Sequence, residues 1–283
     1  MVGAAPRSLL LVILSCAVFA RADEHLLEAS YVDRGMVSAA TITMSGLAAP
    51  LHYLESGPKE SHQLVIFLHG ASFSARTWQI IGVLDAVGGA GFHAVALDLP
   101  GYGSGLSGRQ RQSPTERRLL LPKFLDAIGW DLVRKVVVVA ASMGGAYALP
   151  FVIAHPERVA GYVTAAALLD PEVVAGCSHE PCSTIPSLIV WGELDSPGGN
   201  KALVTESLFA AHQKVVYRNA PHPCYLKYPD VFTRHLLEFL GAGNGKGNGI
   251  ADVDPSSRID PGDGFKSDSR VVQGSMVRVH ANW

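Results

Sequence analysis

Val136-Val-Val-Val-Ala140-Ala141-Ser142-Met143-Gly144-Gly145-Ala146-Tyr147 is the stretch on which the reading of this chain turns. Its run of β-branched residues suits a strand buried on both faces, and small residues around Ser142 interrupt it before helix-favouring residues resume. The stretch therefore predicts a strand, a tight turn and a helix. A serine on such a turn stands clear of the sheet end, and its neighbours must be small because the strand and helix backbones pass close together there. The usual form of this nucleophile elbow is Gly-x-Ser-x-Gly; here the first position is Ala140, one methyl larger. A five-residue pattern also fits a plain buried serine at a strand-to-helix junction. What favours the functional reading is the order of the residues that follow.

Working outward from Ser142, strand and helix patterns alternate. Met36 to Met44 and Leu51 to Leu54 read as an antiparallel lead-in across the turn-prone Ser45-Gly46. Strands are predicted at Leu64–Leu68, Ala94–Leu99, Lys135–Ala140, Val159–Leu168, Ser187–Trp191 and Val215–Tyr217. Helices are predicted at Ala75–Ala90, Ser113–Ile128, Lys201–Ala211 and Val231–Leu240, with another following Ser142. Such alternation implies right-handed crossovers and a mostly parallel central sheet with helices on both faces, that is, one α/β domain. Only Leu169 to Pro186 separates the two strands between which a cap would be inserted, so no large cap domain is expected.

In sheets of this kind ligands bind beyond the carboxyl ends of the strands, so the residues just after each strand are the candidates for chemistry. Ser142, then Asp195 after Leu188-Ile-Val-Trp-Gly192-Glu-Leu194, then His222 after Val215-Val-Tyr217, each stand at the end of their own strand. A serine hydroxyl is a poor nucleophile until a base removes its proton, and a neutral imidazole can do so near pH 7 and then protonate the leaving group. His222 takes that role, and Asp195 would orient its ring and stabilise the imidazolium. An oxyanion hole is expected from the backbone N–H of Met143 and a second N–H after His69-Gly70, that of Ala71. Asp170 also follows a strand and remains the rival to Asp195. His69 reads as a shaper of the oxyanion loop, His155 and His212 as residues at predicted helix ends. Glu193 reads as a strand-end residue. Asp98-Leu-Pro-Gly-Tyr-Gly-Ser-Gly105 lacks the spacing and lysine of a phosphate loop and reads as a turn lining the pocket.

The 283 residues, 48% of them hydrophobic, suffice for a substantial core, and a net charge of −2 without a basic stripe gives no footprint for nucleic acid. Arg7, the apolar run Leu9–Ala20 and Ala20-Arg21-Ala22 predict a signal peptide over residues 1–22, cleaved before Asp23. About 12 apolar residues are few for a membrane span, so membrane association is expected only if this segment stays uncleaved as an anchor; organelle transit is a third reading. The expected location is the secretory pathway or the exterior. In an oxidising lumen Cys177 and Cys182 could close a small disulfide ring, leaving Cys224 free. A zinc site is not expected, because four well-spaced ligands are missing. The domain is expected over 23–240, with a Gly-rich, disordered tail over 241–283.

Taken together, His69-Gly70, Asp98 to Gly105, the Ser142 elbow, Gly192-x-x-Asp195 and His222 resemble the α/β-hydrolase pattern. More narrowly, Leu68-His-Gly-Ala-Ser-Phe-Ser74, Thr77-Trp-Gln79, Ala94-Val-Ala-Leu-Asp-Leu-Pro-Gly101, Ala148-Leu-Pro-Phe151 and Ala220-Pro-His-Pro-Cys-Tyr-Leu226 resemble the family of α/β-hydrolase domain-containing protein 14, over about Met36 to Leu240. That family also departs from the strict elbow sequence. The resemblance implies an α/β-hydrolase fold and a small serine hydrolase acting on acyl groups; the expected substrate is a small molecule or an acylated peptide, and the expected working form a monomer. It implies no bound cofactor, with coenzyme A as a conceivable acyl acceptor in place of water. The lack of a cap favours short acyl groups. The alternative is a non-catalytic binding protein on the same scaffold; epoxide and haloalkane chemistry would need a carboxylate where Ser142 stands.

Overall fold

The computed structural model describes Tyr31 and residues 35–103, 105–177 and 181–241, with only the backbone at 196–200. The expected leader over 1–22 and the tail after Gly241 lie outside the described residues. Strands β1 (Val37–Ile42), β2 (Leu51–Ser56), β3 (Leu64–Leu68), β4 (His93–Leu97), β5 (Val136–Ala141), β6 (Val159–Ala165), β7 (Ser187–Gly192) and β8 (His212–Tyr217) form one sheet. Their spatial order is β1-β2-β4-β3-β5-β6-β7-β8. β2 is antiparallel to both its neighbours, and every other pairing is parallel.

Helices α1 (Ala75–Ile80), α2 (Val83–Gly89), α3 (Pro114–Ala127), α4 (Gly145–Ala154), α5 (Pro171–Gly176), α6 (Ser196–Leu208), α7 (Cys224–Lys227) and α8 (Pro229–Phe239) connect them. The period-two geometry of a strand splits the continuous apolar run of β3 between two cores. Leu64, Ile66 and Leu68 meet Leu120, Leu121 and Phe124 of α3 with Leu149 and Phe151 of α4. On the other face Val65 and Phe67 join Trp78 of α1, Val83 and Leu84 of α2, and Phe232 and Leu236 of α8. Trp78, fully buried, stacks on Tyr225 with ring centroids 5.1 Å apart and also touches Phe67 and Phe232. The sheet is thus covered on both sides, and the carboxyl ends of its parallel strands all open on one edge.

Several boundaries differ from the sequence expectation, each for a local reason. The helix expected over Ala75–Ala90 is two helices, because Gly82 takes a left-handed conformation (φ 74°) and restarts the chain at α2. The strand expected to reach Leu168 stops at Ala165: Ala166 has φ 50°, and the Leu168 N–H donates to the Ser142 carbonyl rather than to a strand neighbour. α6 starts earlier than Lys201, with a proline in its first turn, and ends at Leu208, so His212 opens β8 instead of closing a helix. Short helices α5 and α7 were not expected at all; each is less than two turns and carries little periodicity. Between β6 and β7 α5 is the single helix among the described residues, so no large cap covers the open edge of the sheet.

Candidate active site

β5 delivers Ser142 into a one-turn 3₁₀ segment, Ser142–Gly144, before α4 begins. Ser142 has φ 46°, a conformation that costs a non-glycine residue on the order of 1–3 kcal/mol and persists only where the surroundings impose it. Two contacts impose it here. The Leu168 N–H holds the Ser142 carbonyl at 2.6 Å. Gly144 passes so close to β3 that a Cβ would fall 2.6 Å from the Leu68 carbonyl oxygen. Ala140, the departure from the usual elbow, is fully buried and paired with Leu68 and Thr164 in the sheet, where its methyl is accommodated.

The three residues expected at separate strand ends meet. His222 Nε2 lies 2.7 Å from Ser142 Oγ, and His222 Nδ1 lies 2.6 Å from Asp195 Oδ2. A carboxylate can only accept, so Nδ1–H donates to Asp195 and leaves the Nε2 lone pair to accept the serine hydroxyl. Asp195 is 6% exposed and His222 20%, which keeps the acid dry and leaves the ring edge reachable from solvent. The loops bearing them are stitched to one another: the Glu193 N–H donates to the Tyr217 carbonyl, the Leu194 N–H to the Ala220 carbonyl, and the Asn219 N–H to the Glu193 carboxylate. Glu193 is therefore a tie between the two loops.

Asp170 does something else. It caps α5, accepting from the Glu172 and Val173 N–H groups, and it receives the Arg118 guanidinium at 3.1 and 3.2 Å. Arg118 also reaches Glu172 at 2.6 Å. No local pattern in the sequence foretells this pairing, since Arg118 and Asp170 stand 52 residues apart. Cys224 sits fully buried two residues after His222; burial, followed by the charge of Asp195, pushes its thiol up to about 12, so it stays protonated and is no competing nucleophile.

The loop after β3 brings the expected second oxyanion donor to the same place. Gly70 neighbours Ser142, and the Phe73 N–H closes a turn onto the Gly70 carbonyl at 3.1 Å, with Ala71 inside that turn. Met143, the other expected donor residue, follows the serine directly and is 5% exposed. His69 is fully buried, with Nδ1–H donating to the Gly70 carbonyl at 2.7 Å and Nε2 accepting the Leu99 N–H at 2.9 Å. Burial pushes its pKa down, against the pull of the Gly70 carbonyl and the Asp98 charge, so the ring is neutral and acts as a brace between the β3 and β4 loops. Asp98 is more than a lining residue: its carboxylate accepts the Ala75 N–H at the start of α1 and faces His52 Nδ1 at 2.9 Å. His155 closes α4, as expected of a helix-end residue.

Cys177 and Cys182 are joined by a disulfide, and Cys224 is free. Among the described residues no group of three or more His, Cys, Asp or Glu could hold a metal ion, and no helix is long and apolar enough to cross a membrane.

An elbow serine hydrogen-bonded to an imidazole that is held by a carboxylate, on a mostly parallel sheet, defines the α/β-hydrolase class. A model of the alpha/beta hydrolase family matches residues 65–254, and the chain belongs to that family. Within it the chain is similar to ABHD14A of Danio rerio, 36% identical over 68% of this chain and 72% of that protein. It is also 35% identical to ABHD14B of Rattus norvegicus, over 72% of this chain and 96% of that protein, which is provisionally named a protein-lysine deacylase. The fold is shared with a serine hydrolase of carbazole degradation, CarC (TM-score 0.60, 19% identity, 72% of this chain and 99% of that one). It is shared too with the carboxylesterase CesB of Bacillus subtilis (TM-score 0.57, 16% identity, 81% of this chain and 100% of that one). Membership of this family supports a hydrolase activity.

Proposed function

We propose that the protein is a serine hydrolase that cleaves short acyl groups through Ser142, His222 and Asp195. The observation that carries this reading is the relay from Ser142 Oγ to His222 Nε2 at 2.7 Å and from His222 Nδ1 to Asp195 Oδ2 at 2.6 Å. His222 takes the serine proton as Oγ attacks the acyl carbonyl carbon, and the oxyanion that forms is held by the N–H groups of Met143 and Ala71. Collapse expels the alcohol or amine, which leaves with the proton from His222, and an acyl ester remains on Ser142. Water, deprotonated by the same ring, releases the acid and restores the serine. The thiol of coenzyme A is the alternative acceptor, and the reading requires no resident cofactor or metal.

An acylated small molecule or peptide is the proposed substrate and a monomer the proposed working form. The provisional lysine-deacylase name of the rat relative favours including acyl-lysine peptides among the substrates tried. The absence of a large cap between β6 and β7 favours short chains, since little is present to wall off a long one from water. Export into the secretory pathway after cleavage before Asp23 is proposed from the leader-like residues 1–22; N-terminal sequencing of the mature protein should begin near Asp23, and an intact Met1 would refute cleavage.

The test of the activity is a fluorophosphonate probe together with p-nitrophenyl acetate. Wild type should be labelled and active, and Ser142→Ala should be unlabelled and inactive while folded. A folded wild type that neither labels nor turns over would instead mark a binding protein built on this scaffold.

A further inference from the structure

The serine site has one aromatic wall that none of the preceding chemistry uses. Phe73 closes the turn containing Ala71 through its backbone, and its ring lies over Gly70 on the side where Ser142 stands. A methyl placed on Gly70 would be 3.2 Å from Phe73 Cδ2, 3.7 Å from its Cε2 and 3.4 Å from Ser142 Cβ. Ring edge and nucleophile therefore flank the same one-carbon space. The carbon that bears Oγ thus stands across this space from the ring edge, and an acyl group on Oγ starts close to Phe73.

The ring is fixed in place. Phe73 is 6% exposed and meets Tyr225 edge-on at 6.4 Å, and Tyr225 in turn stacks on the fully buried Trp78. Behind the loop Gly103 comes so near that a Cβ there would lie 2.8 Å from the Phe73 carbonyl oxygen. A side chain wedged in this way cannot swing aside for a longer substrate without moving the aromatic stack that also carries the segment just after His222. The neutral His69 brace holds the start of the loop from the other side.

We infer that Phe73 is the residue that sets acyl-chain length, its ring edge blocking the path of an acyl group beyond the first few carbons from Ser142. This rests on the serine-hydrolase reading above and adds to it a specificity-determining residue. The mechanism is steric: the oxyanion donors fix the carbonyl, so an alkyl chain that meets the ring can neither shift nor displace it, whereas acetyl stops short of it.

Acetate, butyrate and octanoate esters of p-nitrophenol, with wild type, Phe73→Leu and Phe73→Ala, provide the test. A second series varies the alcohol on a constant acetyl group, and fluorophosphonate labelling counts intact nucleophiles. The octanoate-to-acetate ratio of kcat/KM should rise about tenfold or more in Phe73→Ala, and by a smaller step in Phe73→Leu, which keeps most of the core volume and so speaks even if the alanine variant does not fold. Labelled, active variants with the wild-type ratio would overturn this inference while leaving the hydrolase reading intact. A change confined to the alcohol series would also overturn it, since the ring would then line the leaving-group side. A wild type without labelling or turnover would overturn both.

Discussion

Gly192 lies directly beneath the loop that carries His222: a Cβ at Gly192 would stand 2.3 Å from the Ala220 carbonyl oxygen and 2.3 Å from that of Pro221. The last residue of β7 is therefore what lets the loop of His222 approach Asp195. Its Cα hydrogen fills the space in which any side chain would lift the 219–223 loop away from Asp195.

Gly192→Ala should accordingly hurt catalysis more than stability. A displacement of His222 by about 1 Å is expected to lower kcat by roughly 10²-fold. Steady-state kinetics beside a thermal melt separate the two effects; a variant with unaltered kcat would show that the loop tolerates the methyl.

Asp195→Asn and Asp170→Asn should part company. The first leaves serine and imidazole in place but removes the carboxylate that selects the Nδ1–H tautomer, and a loss of about 10⁴-fold in turnover is expected with little change in stability. The second keeps a cap residue of equal quality and removes only the charge that faces Arg118, so a small loss of stability and little change in activity are expected. A severe kinetic loss from Asp170→Asn beside a mild one from Asp195→Asn would reverse the assignment.

Ser142→Ala and His222→Ala should each remove nearly all turnover, and the double variant should be scarcely worse than either, because nucleophile and base act as one unit. Additive losses in a double-mutant cycle would mean that the two groups work independently and that the 2.7 Å contact is not the catalytic one.

Acid should weaken the fold through His235. Burial, with Arg234 adding to it, lowers its pKa to about 4, and Nδ1 accepts the Tyr217 hydroxyl at 3.0 Å. The unfolded chain, with a histidine near 6.5, binds this proton first, so the contribution is fully present above about pH 6.5 and is lost as pH falls toward 4. The whole shift would correspond to about 3 kcal/mol, and partial solvent screening of the ring leaves a loss on the order of 2 kcal/mol. Urea midpoints at pH 7 and pH 4.5 for wild type and His235→Gln should show a steeper acid loss in wild type; parallel losses would assign the effect to other groups.

The Cys177–Cys182 bond ties the end of α5 to the segment that Ser183 anchors through its bonds with Leu208 and Ala210. Closing so short a loop restrains the unfolded chain by about 2 kcal/mol in the entropic account. Cys177→Ser with Cys182→Ser should lower Tm by several degrees, and an unchanged Tm would mean that the packing of Val173 and Val174 already holds α5.

Much of this molecule is legible one segment at a time. The apolar run of β3, the β-branched run of β5 and the Ser142 turn declare themselves because strand burial and the tight elbow act on neighbouring residues. The order serine, acid, histidine could be read for the same reason, each residue following its own strand. The sequence favoured Asp195 through Gly192-x-x-Asp195 but left Asp170 open as its rival, since both follow strands and both carry a carboxylate. That choice belongs to the sheet order, which sets β7 next to β8 and so places the Asp195 loop against the His222 loop, while Asp170 is drawn to Arg118 on α3 across the other core. The ends of β6 and of the helix after Ala75 were likewise decided by contacts with distant chain or by single backbone angles, which leave no periodic trace in the sequence. Phe73 is the sharpest instance. In the sequence it is one apolar residue in a loop, and only the folding of Gly70 against Ser142, with Tyr225 behind the ring, turns it into a wall of the site.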